Sequence, residues 1–117
     1  MSELATSYYD TRTIIVNLLK EDKETYLSIS RLHKLLHYIY VELTEKQIID
    51  EYQILFDVSF DSIERTVIYN TNIFSLDIKG EKIYLREPHK IDELARKYKV
   101  DDIVGEIIRE FIQVNAA

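Results

Sequence analysis

Two histidines, His33 and His37, lie four positions apart in a predicted helix. This spacing can place two imidazoles on one metal ion. The chain contains no His-Glu-x-x-His pattern and offers no evident third ligand. Because a pair of histidines on a polar helix face is more often part of the solvated surface, we expect no metal. A histidine-based metal site is kept only as a remote alternative.

Catalytic chemistry has little support in the sequence. The chain has no cysteine, and its serines, threonines and three histidines form no recognisable set of nucleophile, base and orienting group. Gly80 and Gly105 fall in a predicted hairpin turn and a predicted helix, so no glycine-rich loop can bind a phosphate. The acidic pair at 101–102 suits a helix start, where carboxylates complement the helix dipole. We expect no enzymatic activity and no cofactor.

Basic and amide side chains are the candidates for contact with DNA. Arg65 is suited to a guanine edge and Asn70 to adenine, while lysines of the predicted hairpin are suited to phosphate. Residues 25–41 contain no acid, and they add two cations to the candidates. The net charge of −6 opposes sequence-independent attraction to DNA. The predicted DNA-binding residues are Arg31, Lys34, Arg65, Thr66, Tyr69, Asn70, Lys79 and Lys82.

Helical periodicity and start signals divide the first part of the chain into four helices. Thr44 with Gln47, and Asp61 with Glu64, both have capping-box spacing. Residues 24–29 alternate polar and apolar side chains, which predicts a short strand after the first helix. The predicted helices run from Ser7 or Asp10 to about Glu21, from Ser28 or Ser30 through Leu43, from Thr44 to about residue 57, and from Asp61 to about Asn70 with Ile63, Val67 and Ile68 buried.

The clearest β-signal lies at residues 73–86, where Lys79-Gly80 separates two alternating segments. With those two residues as the loop, Phe74 faces Leu85 on an apolar side. On the other, polar side, Asp77 faces Lys82. A slip of one residue would oppose apolar and charged side chains, so this register explains the pattern best.

Two C-terminal helices should follow, the first starting at Pro88 and the second capped by Asp101. The second has apolar residues on more than one side, as in a helix that packs both on its own core and on a partner. We therefore predict a homodimer. The predicted dimer interface consists of Ile103, Ile107, Ile108, Phe111 and Ile112.

The order of helix, short strand, two helices and a final helix followed directly by a hairpin resembles the winged helix-turn-helix domains. The resemblance covers residues 7–86, with one helix more than the usual pattern. It implies that residues 61–70 occupy the position of the recognition helix. It also implies that Lys79-Gly80 forms the tip of the wing.

These patterns predict one mostly helical α+β domain over residues 1–117, with a winged-helix-like core at 7–86 and two helices at 88–114. Met1-Ser2-Glu3-Leu4-Ala5 lacks the features of a signal peptide, and no apolar run approaches the roughly 20 residues of a membrane span. We expect a cytoplasmic protein without membrane contact. The predicted function is a small DNA-binding regulatory or accessory protein. The alternative is an acidic protein-interaction module that does not bind DNA.

Overall fold

A computed structural model of the protein describes residues 7–54, 56 and 59–114, and its side chains from Tyr9 onward. The described part is α+β, with helices accompanied by a small three-stranded antiparallel sheet and a separate parallel strand pair. The elements are β1 (Ser7–Tyr9), α1 (Thr11–Asp22), β2 (Tyr26–Ser28), α2 (Ile29–Glu45), β3 (Tyr52–Ile54), α3 (Phe60–Ile68), β4 (Phe74–Asp77), β5 (Lys82–Leu85), α4 (Ile91–Lys97) and α5 (Asp102–Val114).

The hairpin of β4 and β5 has the predicted register. Phe74 pairs with Leu85 and Asp77 pairs with Lys82. The predicted short strand is also present as β2, which pairs with the free edge of β5 and gives the sheet order β2-β5-β4. The loop spans residues 78–81 rather than two residues, and it places Glu81 at a left-handed φ of 51°.

The core forms around α1, which contacts α3, α4 and α5. Ile14, Ile15 and Leu18 are fully buried because neighbouring helices cover α1 on several sides. The apolar stripe of α2, from Leu32 to Leu43, faces the same core. No helix in the described ranges is long and apolar enough to cross a membrane.

The third predicted helix is wrong. α2 continues to Glu45 and ends in a Schellman motif, in which Leu43 O accepts from Ile48 N (3.0 Å) and Thr44 O accepts from Gln47 N (3.0 Å). Gln47 occupies the left-handed position of this motif, with φ 63°. Thr44 and Gln47 therefore close a helix instead of opening one. A 3₁₀ turn and β3 follow, and Leu55, which the predicted helix included, lies outside the described residues.

The fourth predicted helix exists as α3, with different ends. Ser59 caps it, because its hydroxyl accepts a hydrogen bond from Ser62 N (3.2 Å), so Asp61 is a first-turn residue and not the cap. Ile63 and Val67 are buried as predicted. Ile68 was predicted to be buried as well, but it points to solvent with 59% of its surface exposed.

The predicted dimer interface on α5 is mostly wrong. Ile107, Ile108 and Phe111 are buried within the chain's own core. The reason is that α5 packs on both α1 and α2, so its wide apolar surface serves two neighbours inside one chain. Of the five predicted residues, Ile103 is exposed and Ile112 is half-buried against the core.

Candidate interaction surface on the third helix

The outer face of α3 combines large apolar and charged side chains. Phe60 is 38% exposed, Ile68 59% and Tyr69, at the C-cap, 81%. Ile63 and Val67 anchor one side of the helix in the core, so helical spacing turns Asp61, Arg65 and Tyr69 away from it. Phe60 precedes Val67 by seven positions and lies on the same side of the helix, where it is exposed at the helix start. We define the α3 face by Asp61, Glu64, Arg65, Ile68 and Tyr69, with Glu64 half-buried at its edge.

The charge on the α3 face is one base against two acids. Arg65 is exposed, and it forms no ion pair with any residue in the described ranges, although Asp61 lies one turn before it in the same helix. Asp61 belongs to the first turn, where it complements the helix dipole. The guanidinium of Arg65 is thus available to an external anionic group.

A groove of about 350 Å³ separates one side of α3 from the start of α1. The structure brings together here four of the predicted DNA-binding residues and adds Arg12, which the sequence interpretation missed. An available signal was the position of Arg12 in the first turn of α1, where the helix dipole disfavours a cation. The groove is lined by Tyr9, Asp10, Thr11, Arg12, Ser62, Arg65, Thr66, Tyr69 and Asn70.

Arg12 is held by three contacts within the fold. Its Nη1 donates to Asn70 Oδ1 (2.9 Å), and its Nη2 donates to Asp10 Oδ2 (3.1 Å). The guanidinium also lies 4.3 Å from the ring centroid of Tyr98, a cation–π contact. These contacts use two of its five N–H donors and hold the guanidinium at the wall of the groove.

Asn70, predicted to read adenine, is a structural residue. It is 9% exposed, its Nδ2 donates to Thr66 O (2.7 Å), and its Oδ1 accepts from Arg12. Its main-chain oxygen accepts from both Ile73 N and Phe74 N. The side chain joins α3 to α1 where the chain turns into β4, so its amide is not available to a base. The hydroxyl of Thr66 is also engaged within the helix, since it donates a hydrogen bond to Ser62 O (3.0 Å).

The wall of the groove at α1 is held in place by Asp101. Asp101 N donates to Tyr9 Oη (2.8 Å), and Asp101 Oδ2 accepts from Tyr52 Oη (2.5 Å). As predicted, Asp101 also caps α5, because its Oδ1 accepts from Val104 N (2.9 Å). Burial raises the pKa of Tyr52, and the hydrogen bond to Asp101 raises it further. This network connects β1, β3 and α5.

Of the two predicted cations of α2, Lys34 lies at a different groove, which α2 forms with α5. Arg31 is engaged inside the chain, with its Nη2 3.1 Å from Asp22 Oδ2 and its guanidinium over the ring of Phe111. This groove of about 490 Å³ shares no lining residue with the groove beside α3. It is lined by His33, Lys34, His37, Tyr38, Val41, Glu42 and Phe111.

Within the described ranges, no cluster of three or more histidine, aspartate or glutamate side chains is placed to hold a metal ion, and this includes the surroundings of His33 and His37. Both histidines are exposed on α2. The nearby hydroxyl of Tyr38 has a raised pKa, because of partial burial and then the charges of Glu42 and Glu110.

The tip of the hairpin carries balanced charge. Lys79 is exposed in the loop, and the ammonium of Lys82 lies 4.9 Å from the ring centroid of Tyr26. Asp77 and Glu81 accompany them, so the two cations have two acids as close neighbours in the chain. The tip of the hairpin therefore has no net positive charge.

A scan against protein-family models and searches of curated proteins and of solved structures found no match to this chain.

Proposed function

We propose that this protein is a protein-interaction module with a winged-helix-like fold, and that it docks through the α3 face. The observation that carries the proposal is the exposure of Ile68 and Tyr69, 59% and 81%, on the outward side of one short helix. Aromatic and apolar side chains with a polar rim are typical of protein interfaces. A helix entering a DNA groove would instead bring Asp61 and Glu64 toward phosphate charge.

The winged-helix part of the proposal is supported by the position of the hairpin. β4 and β5 follow α3 directly, and β5 lies between β4 and β2, the strand that connects α1 to α2. This is the element order of the resemblance described above, except that a 3₁₀ turn and β3 take the place of the extra helix. Winged-helix domains also serve as docking modules, and a net charge of −6 is compatible with that use.

The test is affinity capture from the cells in which the protein occurs, with three baits of equal stability. The baits are the wild type, the double variant Ile68→Ser/Tyr69→Ser, and the control Ile78→Ser in the hairpin loop. We expect the same captured protein with the wild type and the control, and its loss with the double variant. Equal capture by all three baits would contradict docking through the α3 face.

DNA binding is the second candidate, because the groove beside α3 gathers Arg65, Thr66 and Tyr69 next to Arg12. Arg65 would contact phosphate or a base edge, and the highly exposed ring of Tyr69 would stack on a base. Lys79 and Lys82 would extend the contact along the hairpin. The acidity of the α3 face and of the whole chain argues against this interpretation.

A titration with fluorescent duplex DNA at two salt concentrations tests this second candidate. Phosphate contact predicts affinity that falls steeply with salt and falls further in Arg65→Glu, but not in Lys46→Glu at the exposed end of α2. Absence of binding at low salt would exclude DNA as the ligand.

A further inference from the structure

We propose that a groove between α1, α4 and α5 binds a small organic anion that carries a hydrogen-bond donor. We name it the α4 groove; it shares no lining residue with the α3 face or with the groove beside α3, so the proposal is independent of docking there. Its volume of about 550 Å³ falls within the roughly 300–1,000 Å³ of small-molecule sites. Two of its lining residues, Asn17 and Gly105, have features that the fold itself does not use.

Asn17 presents a hydrogen-bond acceptor to the α4 groove. The residue is 9% exposed, and its Nδ2 donates to Thr13 O (2.8 Å) and to Tyr98 O (2.7 Å). These two carbonyls fix the orientation of the amide, because the opposite orientation would place Oδ1 against two acceptors. Oδ1 has no hydrogen bond within the described residues, and the unpartnered side-chain atoms that are sealed from solvent there belong to other residues. An unpaired amide oxygen that reaches the groove from a buried residue matches a donor from outside the chain.

Gly105 keeps one wall of the α4 groove open. It is the fourth residue of α5, and glycine is unfavourable inside a helix. The backbone does not require glycine, since its φ is not in the left-handed region. Packing does not require it either, because a Cβ would lie 3.5 Å from Arg109 Nη1 and 3.8 Å from Val100 Cγ2, which are ordinary contacts. A larger side chain would fill the groove, so glycine preserves space there although it weakens the helix.

Cations from α1, α4 and α5 border the α4 groove. Lys20 and Arg109 both approach Glu21, each with an N–O distance of 3.9 Å. Arg96, in the last turn of α4, and Lys99, just beyond that helix, are exposed and form no ion pair in the described ranges. A guanidinium and an ammonium are therefore available to a carboxylate or a phosphate.

The acids of the α4 groove restrict the ligand further. Asp92 and Asp102 lie in the first turns of α4 and α5, where the helix dipoles stabilise them. In total four bases and four acids line the groove, so it has no general attraction for polyanions. The complementary ligand has one anionic group for Arg96 and Lys99 and one N–H or O–H group for Asn17. Free amino acids and mononucleotides share this chemistry.

A thermal-shift screen followed by isothermal titration calorimetry tests the proposal. The probes are the proteinogenic amino acids and the common ribonucleoside monophosphates, each at millimolar concentration. We expect at least one of them to bind with a dissociation constant below about 1 mM. The set that contains the binder identifies which source supplies the ligand. Absence of binding by every probe would overturn the proposal.

Variants of the groove locate the binding. Arg96→Ala/Lys99→Ala should weaken binding of the probe about tenfold or more. The control Lys23→Ala/Lys46→Ala removes two exposed cations outside the groove and should change the affinity less than about twofold. Gly105→Leu fills the groove and should abolish detectable binding. Unchanged binding by Gly105→Leu, or an equal loss in the control, would overturn the assignment to the α4 groove.

The role of Gly105 also has a measurement that needs no ligand. Gly105→Ala should raise the melting temperature by a few degrees, because alanine favours the helix and its Cβ makes only ordinary contacts. A lower melting temperature would show that Gly105 serves the fold, and would overturn the proposal. All these variants leave the α3 face intact, so affinity capture with the Ile68→Ser/Tyr69→Ser bait judges docking separately.

Discussion

The hydroxyl of Tyr52 donates a hydrogen bond of 2.5 Å to the carboxylate of Asp101, 49 positions later in the chain. Asp101 uses its other carboxylate oxygen to cap α5 and its main-chain N–H to contact Tyr9. One residue therefore fixes the start of α5 to β1 and β3, the two strands of the parallel pair. Because β1 leads directly into α1, the network also positions the wall of the groove beside α3.

Replacement of Tyr52 by Phe should lower the free energy of unfolding by about 1–2 kcal/mol. Tyr52 is buried, and the variant would remove a hydrogen bond to a charged group while it keeps the ring. Urea denaturation measures the change. Tyr40→Phe is the control, since the hydroxyl of exposed Tyr40 has no hydrogen bond within the described residues, and it should change stability by less than about 0.5 kcal/mol.

The same tyrosine should make stability depend on alkaline pH. The pKa of Tyr52 is raised in the folded chain above its ordinary value of 10.0, so the folded state holds the proton more tightly than the unfolded state. Its contribution is complete below about pH 10 and is lost as the pH rises above that value. Denaturation curves between pH 8 and about pH 11 should therefore show a steeper loss for the wild type than for Tyr52→Phe. Parallel curves for the two proteins are the contrary result.

Replacement of Gln47 by Gly should raise the free energy of unfolding by about 0.5–1 kcal/mol. Gln47 has φ 63° in the Schellman motif that ends α2, and a residue with a Cβ is strained there, whereas glycine is not. Gln47→Ala keeps the Cβ and should leave stability nearly unchanged. A thermal denaturation series measures both variants. A stabilisation by Ala as large as that by Gly would exclude backbone strain as the cause.

Replacement of Asn70 by Ala should destabilise the fold by about 1–3 kcal/mol, because Arg12 would lose an acceptor and the end of α3 would lose a contact. The exposed neighbour Thr71 supplies the control, Thr71→Ala, with little expected change. Chemical denaturation distinguishes this structural role from the role in DNA recognition that the sequence suggested. Unchanged stability of Asn70→Ala would contradict the structural role.

The local sequence pattern was sufficient to predict the hairpin and most of the helices. The alternation at 73–86 predicts the observed pairing of Phe74 with Leu85, because a shift of one residue reverses every side chain. The end of α2 was missed for a physical reason. Schellman motifs usually have glycine in the left-handed position, which makes them recognisable in a sequence, but this chain has Gln47 there. At the end of α1, Lys23 occupies the left-handed position with φ 57°.

Contacts between distant segments could not be predicted. The bond from Arg12 to Asn70 spans 58 positions, and no local feature of Asn70 distinguishes a buried amide from an exposed one. The apolar residues of α5 suggested a dimer because the sequence does not show that α1 and α2 both cover that helix. Arg65 and Tyr69, predicted as contact residues, are exposed on α3, whereas the exposure of Ile68 became visible only in the folded chain.

Photo-crosslinking from position 68 in the cells in which the protein occurs tests the docking surface most directly. Ile68 and Ile78 are matched sites, 59% and 60% exposed, and each can be replaced by p-benzoylphenylalanine in turn. Docking through the α3 face predicts a discrete adduct from position 68 and none from position 78, and the adduct of a homodimer would have twice the mass of the chain. No adduct from position 68, or equal adducts from both positions, would contradict the assignment of the α3 face.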